Sequence, residues 1–142
     1  METKRRNFVC LAAVRIATVL LLVMGLSAYS QPTSTLSSSL NPPAWLQGEW
    51  GLAETGTSLF EVTSDNVRMV SDESGTSTTI SFGTLPPGNT VQETASGSAI
   101  YELELRSDGI VQTHTFERTS VTTLNYTLLT NGTGSTIQLD KR

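Results

Sequence analysis

In the last third of the chain, apolar and polar residues alternate one for one. Tyr101, Leu103 and Leu105 are interleaved with Glu102, Glu104 and Arg106, and Leu124, Tyr126 and Leu128 with Asn125 and Thr127. Successive side chains of a strand point to opposite faces, so this period of two describes a ribbon with one dry and one wet face. No stretch of the chain beyond residue 43 sustains the i, i+3, i+4 apolar spacing of an amphipathic helix. What recurs instead is short runs of Thr, Val, Ile and aromatic residues punctuated by Gly, Asn, Asp and Pro. The fold class that follows is all-β.

The punctuation sets the order of the strands. Leu46–Ala53, Ser58–Thr63 and Val67–Ser71 read as the first three, with Ser64-Asp65-Asn66 turning the chain between the second and third. Asp72-Glu73-Ser74-Gly75 leads into Thr76–Phe82. Residues 83–89 (GTLPPGN) are expected outside any ladder, because two adjacent prolines remove two backbone donors. Thr90–Ala95 resumes the pattern, Ser96-Gly97-Ser98 breaks it, and Ser107-Asp108-Gly109 joins the Tyr101 strand to Ile110–Arg118. Asn131-Gly132 is a tight-hairpin dipeptide, since both residues accept positive φ, and Ile137 and Leu139 alternate with Gln138 and Asp140 in a final strand. The sum is a small antiparallel meander of about eight strands, spaced by about ten residues. Such a meander can close into a barrel and so remove its exposed edges, which favours a closed barrel over a sandwich.

The N-terminal end reads as an address. Lys4, Arg5 and Arg6 precede a largely apolar run from Phe8 to Met24, and Ala28-Tyr29-Ser30 supplies the small-x-small pattern of a signal-peptidase site. Arg15 interrupts the apolar run, leaving a stretch from Ile16 to Leu26 well short of the roughly 20 residues a membrane span needs. Residues 1–30 are therefore expected to be a signal peptide cleaved near Ser30, with export to the periplasm, cell envelope or exterior. Contact with a membrane is expected only through an uncleaved leader. The one cysteine, Cys10, lies at the start of the apolar run rather than at its end, so it is not placed to carry lipid. The remainder has no thiol for disulfides, metal or nucleophilic chemistry. It also carries five basic against twelve acidic residues, a balance that argues against nucleic acid as a partner. Residues 31–43 (QPTSTLSSSLNPP) are read as a disordered Ser/Thr/Pro-rich tether, and residues 44–142 as one β domain.

Trp45, Gly48 and Trp50 form a W-x-x-G-x-W at the start of the first strand. With the Thr63–Asn66 turn, the run Phe116–Tyr126 (FERTSVTTLNY) and the late Leu139-x-Lys141, this resembles small bacterial exported lipocalin-like proteins of the calycin group. The resemblance implies a barrel whose first tryptophan closes one end, whose glycine lets the chain cross close to it, and whose late basic residue stacks on the ring. Arg118, Lys141 and Arg142 all remain open for that last role. Two departures stand out: the middle of the chain lacks the Thr-Asp-Tyr-type motif of larger lipocalins, and the chain is short. Streptavidin-like calycins also begin with Gly-x-Trp, but their pocket uses later tryptophans, and none follows Trp50.

Catalytic chemistry is not legible. His114, the only histidine, has no partnered nucleophile or orienting carboxylate in the sequence pattern, and is expected at the surface or half-buried in a structural role. Glu102 and Glu104 share a strand face, but it is the wet one. Asp65, Asp72 and Glu73 lack the spacing of a calcium loop. No enzyme activity, cofactor or metal is expected. The resemblance suggests instead a small, partly apolar ligand in the barrel, with Trp50, Phe60, Met69, Phe82, Tyr101, Phe116, Tyr126 and Leu128 as candidate lining. The competing reading is a structural or interaction domain of the envelope in which these same side chains fill the barrel.

Overall fold

A computed structural model describes residues 36–37, 39–73 and 76–142; the leader read at residues 1–30 lies outside them. All the regular structure among the described residues is β. The strands are β1 (Leu36–Ser37), β2 (Gly48–Gly51), β3 (Ser58–Val62), β4 (Val67–Glu73), β5 (Thr76–Ser81) and β6 (Thr84–Leu85). They continue as β7 (Asn89–Ser96), β8 (Ile100–Ser107), β9 (Ile110–Arg118), β10 (Thr123–Thr130) and β11 (Thr133–Lys141). Nine of them form one antiparallel sheet in the order β5-β4-β3-β2-β11-β10-β9-β8-β7, and β1 pairs with β6 in a separate two-stranded ladder.

The sheet is two runs of neighbouring hairpins, β2–β5 and β7–β11, joined where the first and last strands of the sheet meet. That join is short: Asp140 lies opposite Gly51, and Lys141 opposite Trp50. The sheet curls strongly into a half-barrel, but the expected closure is not made, because β5 and β7 do not pair. The reason lies in the segment between them. Pro86 and Pro87 have no N–H to give to a ladder, and the residues just before them, Thr84 and Leu85, turn away to pair with Ser37 and Leu36. The expectation that residues 83–89 stay outside all ladders is thus corrected at Thr84–Leu85 and at Asn89, which opens β7.

The hairpin turns follow the chemistry of their residues. Asn131 and Gly132 have φ of 50° and 82°, and Asp108 and Gly109 have 46° and 80°, so both pairs take the left-handed conformation that short antiparallel turns need. Asn131 adds a side-chain lock, its Oδ1 accepting the Val111 N–H at 3.0 Å. The first strand is shorter than read from sequence. Its register shifts after Trp50, and Gly51 lies so close to the Thr57 carbonyl that a β-carbon there would stand 2.2 Å from the oxygen. The chain therefore leaves the ladder and turns through residues 52–57.

The ordered domain also starts before Ala44. Leu40 and Pro42 are buried, although the Ser- and Pro-rich composition around them predicts a free tether. The backbone N–H of Asn41 donates to a carboxylate oxygen of Glu93, which also accepts the Tyr101 hydroxyl at 2.5 Å. A little further on, Trp45 donates its Nε1–H to the Gly97 carbonyl at 2.8 Å. These bonds tie the entering segment across the β7–β8 hairpin.

The core follows the period of two. On β8 Tyr101, Leu103, Leu105 and Ser107 are buried; on β9 Gln112, His114 and Phe116; on β10 Leu124, Tyr126 and Leu128. Phe60, Val62, Val67 and Met69 face the same interior from β3 and β4. Burying each large apolar side chain contributes about 1.5–3 kcal/mol, which is how a domain without disulfides holds together. Glu102 and Glu104 lie on the outer face as expected: Glu102 accepts from the hydroxyls of Thr94 and Thr115 at 2.7 and 2.9 Å, and Glu104 pairs with Arg106 at 2.6 Å.

Candidate functional site

The inner face of the half-barrel has two ends of different character. At one end Trp50 is fully buried in β2 and donates its Nε1–H to the Leu46 carbonyl at 2.6 Å. The Nζ of Lys141 stands 5.3 Å from the centre of the ring. Of the three basic residues left open from sequence, Lys141 is the one that covers this tryptophan. Gly48 makes the approach possible. Its φ is 122°, and a β-carbon there would come within 3.0 Å of Lys141 Cε. Replacing Lys141 by Ala should lower folding stability by about 0.5–2 kcal/mol through the lost cation–π contact. Lys141→Arg should retain most of it, as chemical denaturation of the two variants would show.

The aromatic candidates pack against one another behind this end. Phe60 meets Phe116 edge-on, with ring centres 5.1 Å apart, and Tyr126 at 4.6 Å. Phe116 lies 5.2 Å from Tyr126 and 6.3 Å from Tyr101. Met69 sits opposite Phe60 in the β3–β4 register. Of the eight residues read as candidate lining, Phe60, Tyr101, Phe116 and Tyr126 thus belong to an interlocked cluster, which is what filled core looks like, with buried Trp50 and Met69 opposite Phe60 in the neighbouring strands. Phe82 and Leu128 are buried too, but they stand elsewhere, around His114.

His114 corrects the expectation most sharply. It is not at the surface or half-buried but fully buried, on the inner face of β9 between Leu103 of β8 and Leu128 of β10. The Phe82 ring lies 4.8 Å from the imidazole, centre to centre. Its Nδ1 is 2.8 Å from the Tyr126 hydroxyl. Among the described residues that hydroxyl has no other partner, and which of the two groups donates follows the tautomer of the ring. The second ring nitrogen, Nε2, is buried and has no partner. Burial pushes the imidazole down to about 3, so the ring is uncharged at any ordinary pH. Burial likewise raises the Tyr126 phenol well above its ordinary value.

Gln112, two residues before His114 on the same face, is 1% exposed, and neither its Oε1 nor its Nε2 has a hydrogen-bond partner. It lies opposite Leu105 of β8 and Thr130 of β10. At the same end of the sheet Asn89 lies opposite Ser107, and the Asn89 Oδ1 is also buried without a partner. The residues that the sequence reading missed are therefore polar ones. Their signal was strand parity: Phe116 must face inward, and His114 and Gln112 share its parity. Among the described residues no group of three His, Cys, Asp or Glu side chains is placed to hold a metal ion.

Comparison with protein-family models, with curated proteins and with solved structures finds no match to the chain.

Proposed function

We propose that this chain is an exported, lipocalin-like, non-enzymatic domain that binds a small, partly apolar molecule inside its half-barrel, at the end where Gln112 and His114 lie. The observation that carries this reading is the set of partnerless polar atoms in an otherwise apolar interior. Buried polar groups are nearly always hydrogen-bonded, and those that are not call for an occupant or a functional reason. Both ends of the Gln112 amide and the Nε2 of His114 fall in that class. The lipocalin-like character and the export rest on the sequence motifs: Gly48-x-Trp50 with Lys141 over the ring, and the basic, apolar and small-residue order of residues 1–30.

A second reading has its own observation behind it. The interlocked aromatic cluster suits a structural or interaction domain whose barrel is filled by its own side chains. Native mass spectrometry of the protein taken from its own host, compared with the same sample denatured, separates the two. We expect a small molecule that travels with the folded protein and is lost on denaturation. A bare mass in both states would favour the filled structural domain. The same spectra should give a chain lacking residues 1–30.

A further inference from the structure

Resting on that reading, we propose that Gln112 and His114 Nε2 form one anchor for the carboxamide or lactam group of an uncharged ligand. Gln112 offers a carbonyl acceptor and an N–H donor side by side, and both are buried and unpartnered. The group that answers such a pair with two parallel hydrogen bonds is another amide, with its own carbonyl and N–H side by side. His114, two residues along the same face, adds a third unpartnered polar atom, its Nε2. Its Nδ1 is occupied by Tyr126, which leaves Nε2 as the ring nitrogen free for the ligand; with Tyr126 as donor, Nε2 carries the N–H that the ligand's carbonyl accepts.

The surroundings select against charge. The residues opposite this pair in the neighbouring strands are Leu103, Leu105, Leu128 and Thr130, and Phe82 covers the imidazole. None of these can neutralise an ion, and the imidazole itself stays uncharged. A carboxylate or ammonium entering here would lose its hydration and gain no counter-charge, whereas an amide exchanges water for three directed bonds. The apolar neighbours would take the ligand's hydrocarbon part. Specificity of this kind is large, because an analogue lacking the polar head leaves the protein's own buried groups unpaired.

The test is titration of the full-length chain, labelled with ¹⁵N, with three probes of one shape: benzamide, toluene and benzoate. We expect benzamide to bind at least tenfold more tightly than either of the others, and to shift the side-chain NH₂ signals of Gln112 and the ring signal of His114 Nε2. Gln112→Leu, which fills similar space and removes the unpaired amide, should fold at least as well and bind benzamide and toluene about equally. Toluene binding the original protein as well as benzamide would overturn the amide anchor while leaving an internal pocket standing. Benzoate binding more tightly than benzamide would overturn the uncharged class. If no probe moves the Gln112 or His114 signals, the site holds water only, and both this inference and the binding reading on which it rests fall.

Discussion

Trp50→Ala is expected to lose about 3–5 kcal/mol of folding free energy, the range for deleting a large buried aromatic side chain. The residue is fully buried, its indole N–H holds the Leu46 carbonyl, and Lys141 lies across its ring. It also sits where the two hairpin runs meet, opposite Phe60 on one side and Lys141 on the other. The truncation therefore opens a cavity at the join as well as removing apolar area from the core. Small domains are stable by about 5–15 kcal/mol in all, so the variant should approach the point of unfolding at physiological temperature. Urea denaturation reads the effect as a lower midpoint at unchanged slope. Trp50→Phe should fall between, since it keeps much of the ring but leaves the Leu46 carbonyl without its donor. A loss below about 1 kcal/mol for the alanine variant would be incompatible with a core position.

Acid should weaken the fold through His114. In the unfolded chain the imidazole titrates at its ordinary value near 6.5, whereas in the folded protein burial holds it down to about 3. Between those values the unfolded state carries a proton that the folded state refuses. Stability therefore rises with pH across this window, is full above about 6.5, and is lost as pH falls toward 3. The slope for one proton is about 1.4 kcal/mol per pH unit. The neighbours opposite and over the ring, Leu103, Leu128 and Phe82, carry no charge to offset this, and the Tyr126 phenol stays protonated throughout. Denaturation midpoints between pH 7.5 and 5 read the effect. His114→Gln should flatten the profile over that interval. A flat profile in the original protein would mean that the imidazole is solvated, contrary to its placement here.

The parts of this fold that could be read in advance are those fixed by local chemistry. Strict alternation in β8 and β10 assigned their inner faces, because Glu102, Glu104 and Asn125 have no reason to leave water. Asn131-Gly132 and Asp108-Gly109 located two turns, because few other dipeptides take two positive φ values. What escaped was settled at a distance. Leu40 and Pro42 are buried because Glu93 and Gly97 reach back to the segment they belong to, and nothing in a Ser- and Pro-rich stretch announces such partners. The opening between β5 and β7 depends on where Thr84 and Leu85 find their pairing partners. Along β5 the pattern gives no parity, and there Ser77, Thr78 and Thr79 are exposed in succession, as suits an outermost strand. The site was hidden for a related reason. In β9 the residues before Phe116 are Gln112, Thr113, His114 and Thr115, so polarity alone does not separate the two faces, and only the inward phenylalanine does.

The join between the two hairpin runs has a kinetic meaning. Every other pairing in the large sheet links strands that follow one another along the chain, separated by short turns. Only the meeting of Gly51 with Asp140 and Trp50 with Lys141 brings together segments about ninety residues apart. Loop-closure entropy grows only with the logarithm of length, so the penalty of this topology is modest and falls almost wholly on one event. Local hairpins form in microseconds, whereas long-range pairing sets the slower rates of β proteins. The two arms can therefore zip independently, and they become a single cooperative unit only when the seam at Trp50 closes.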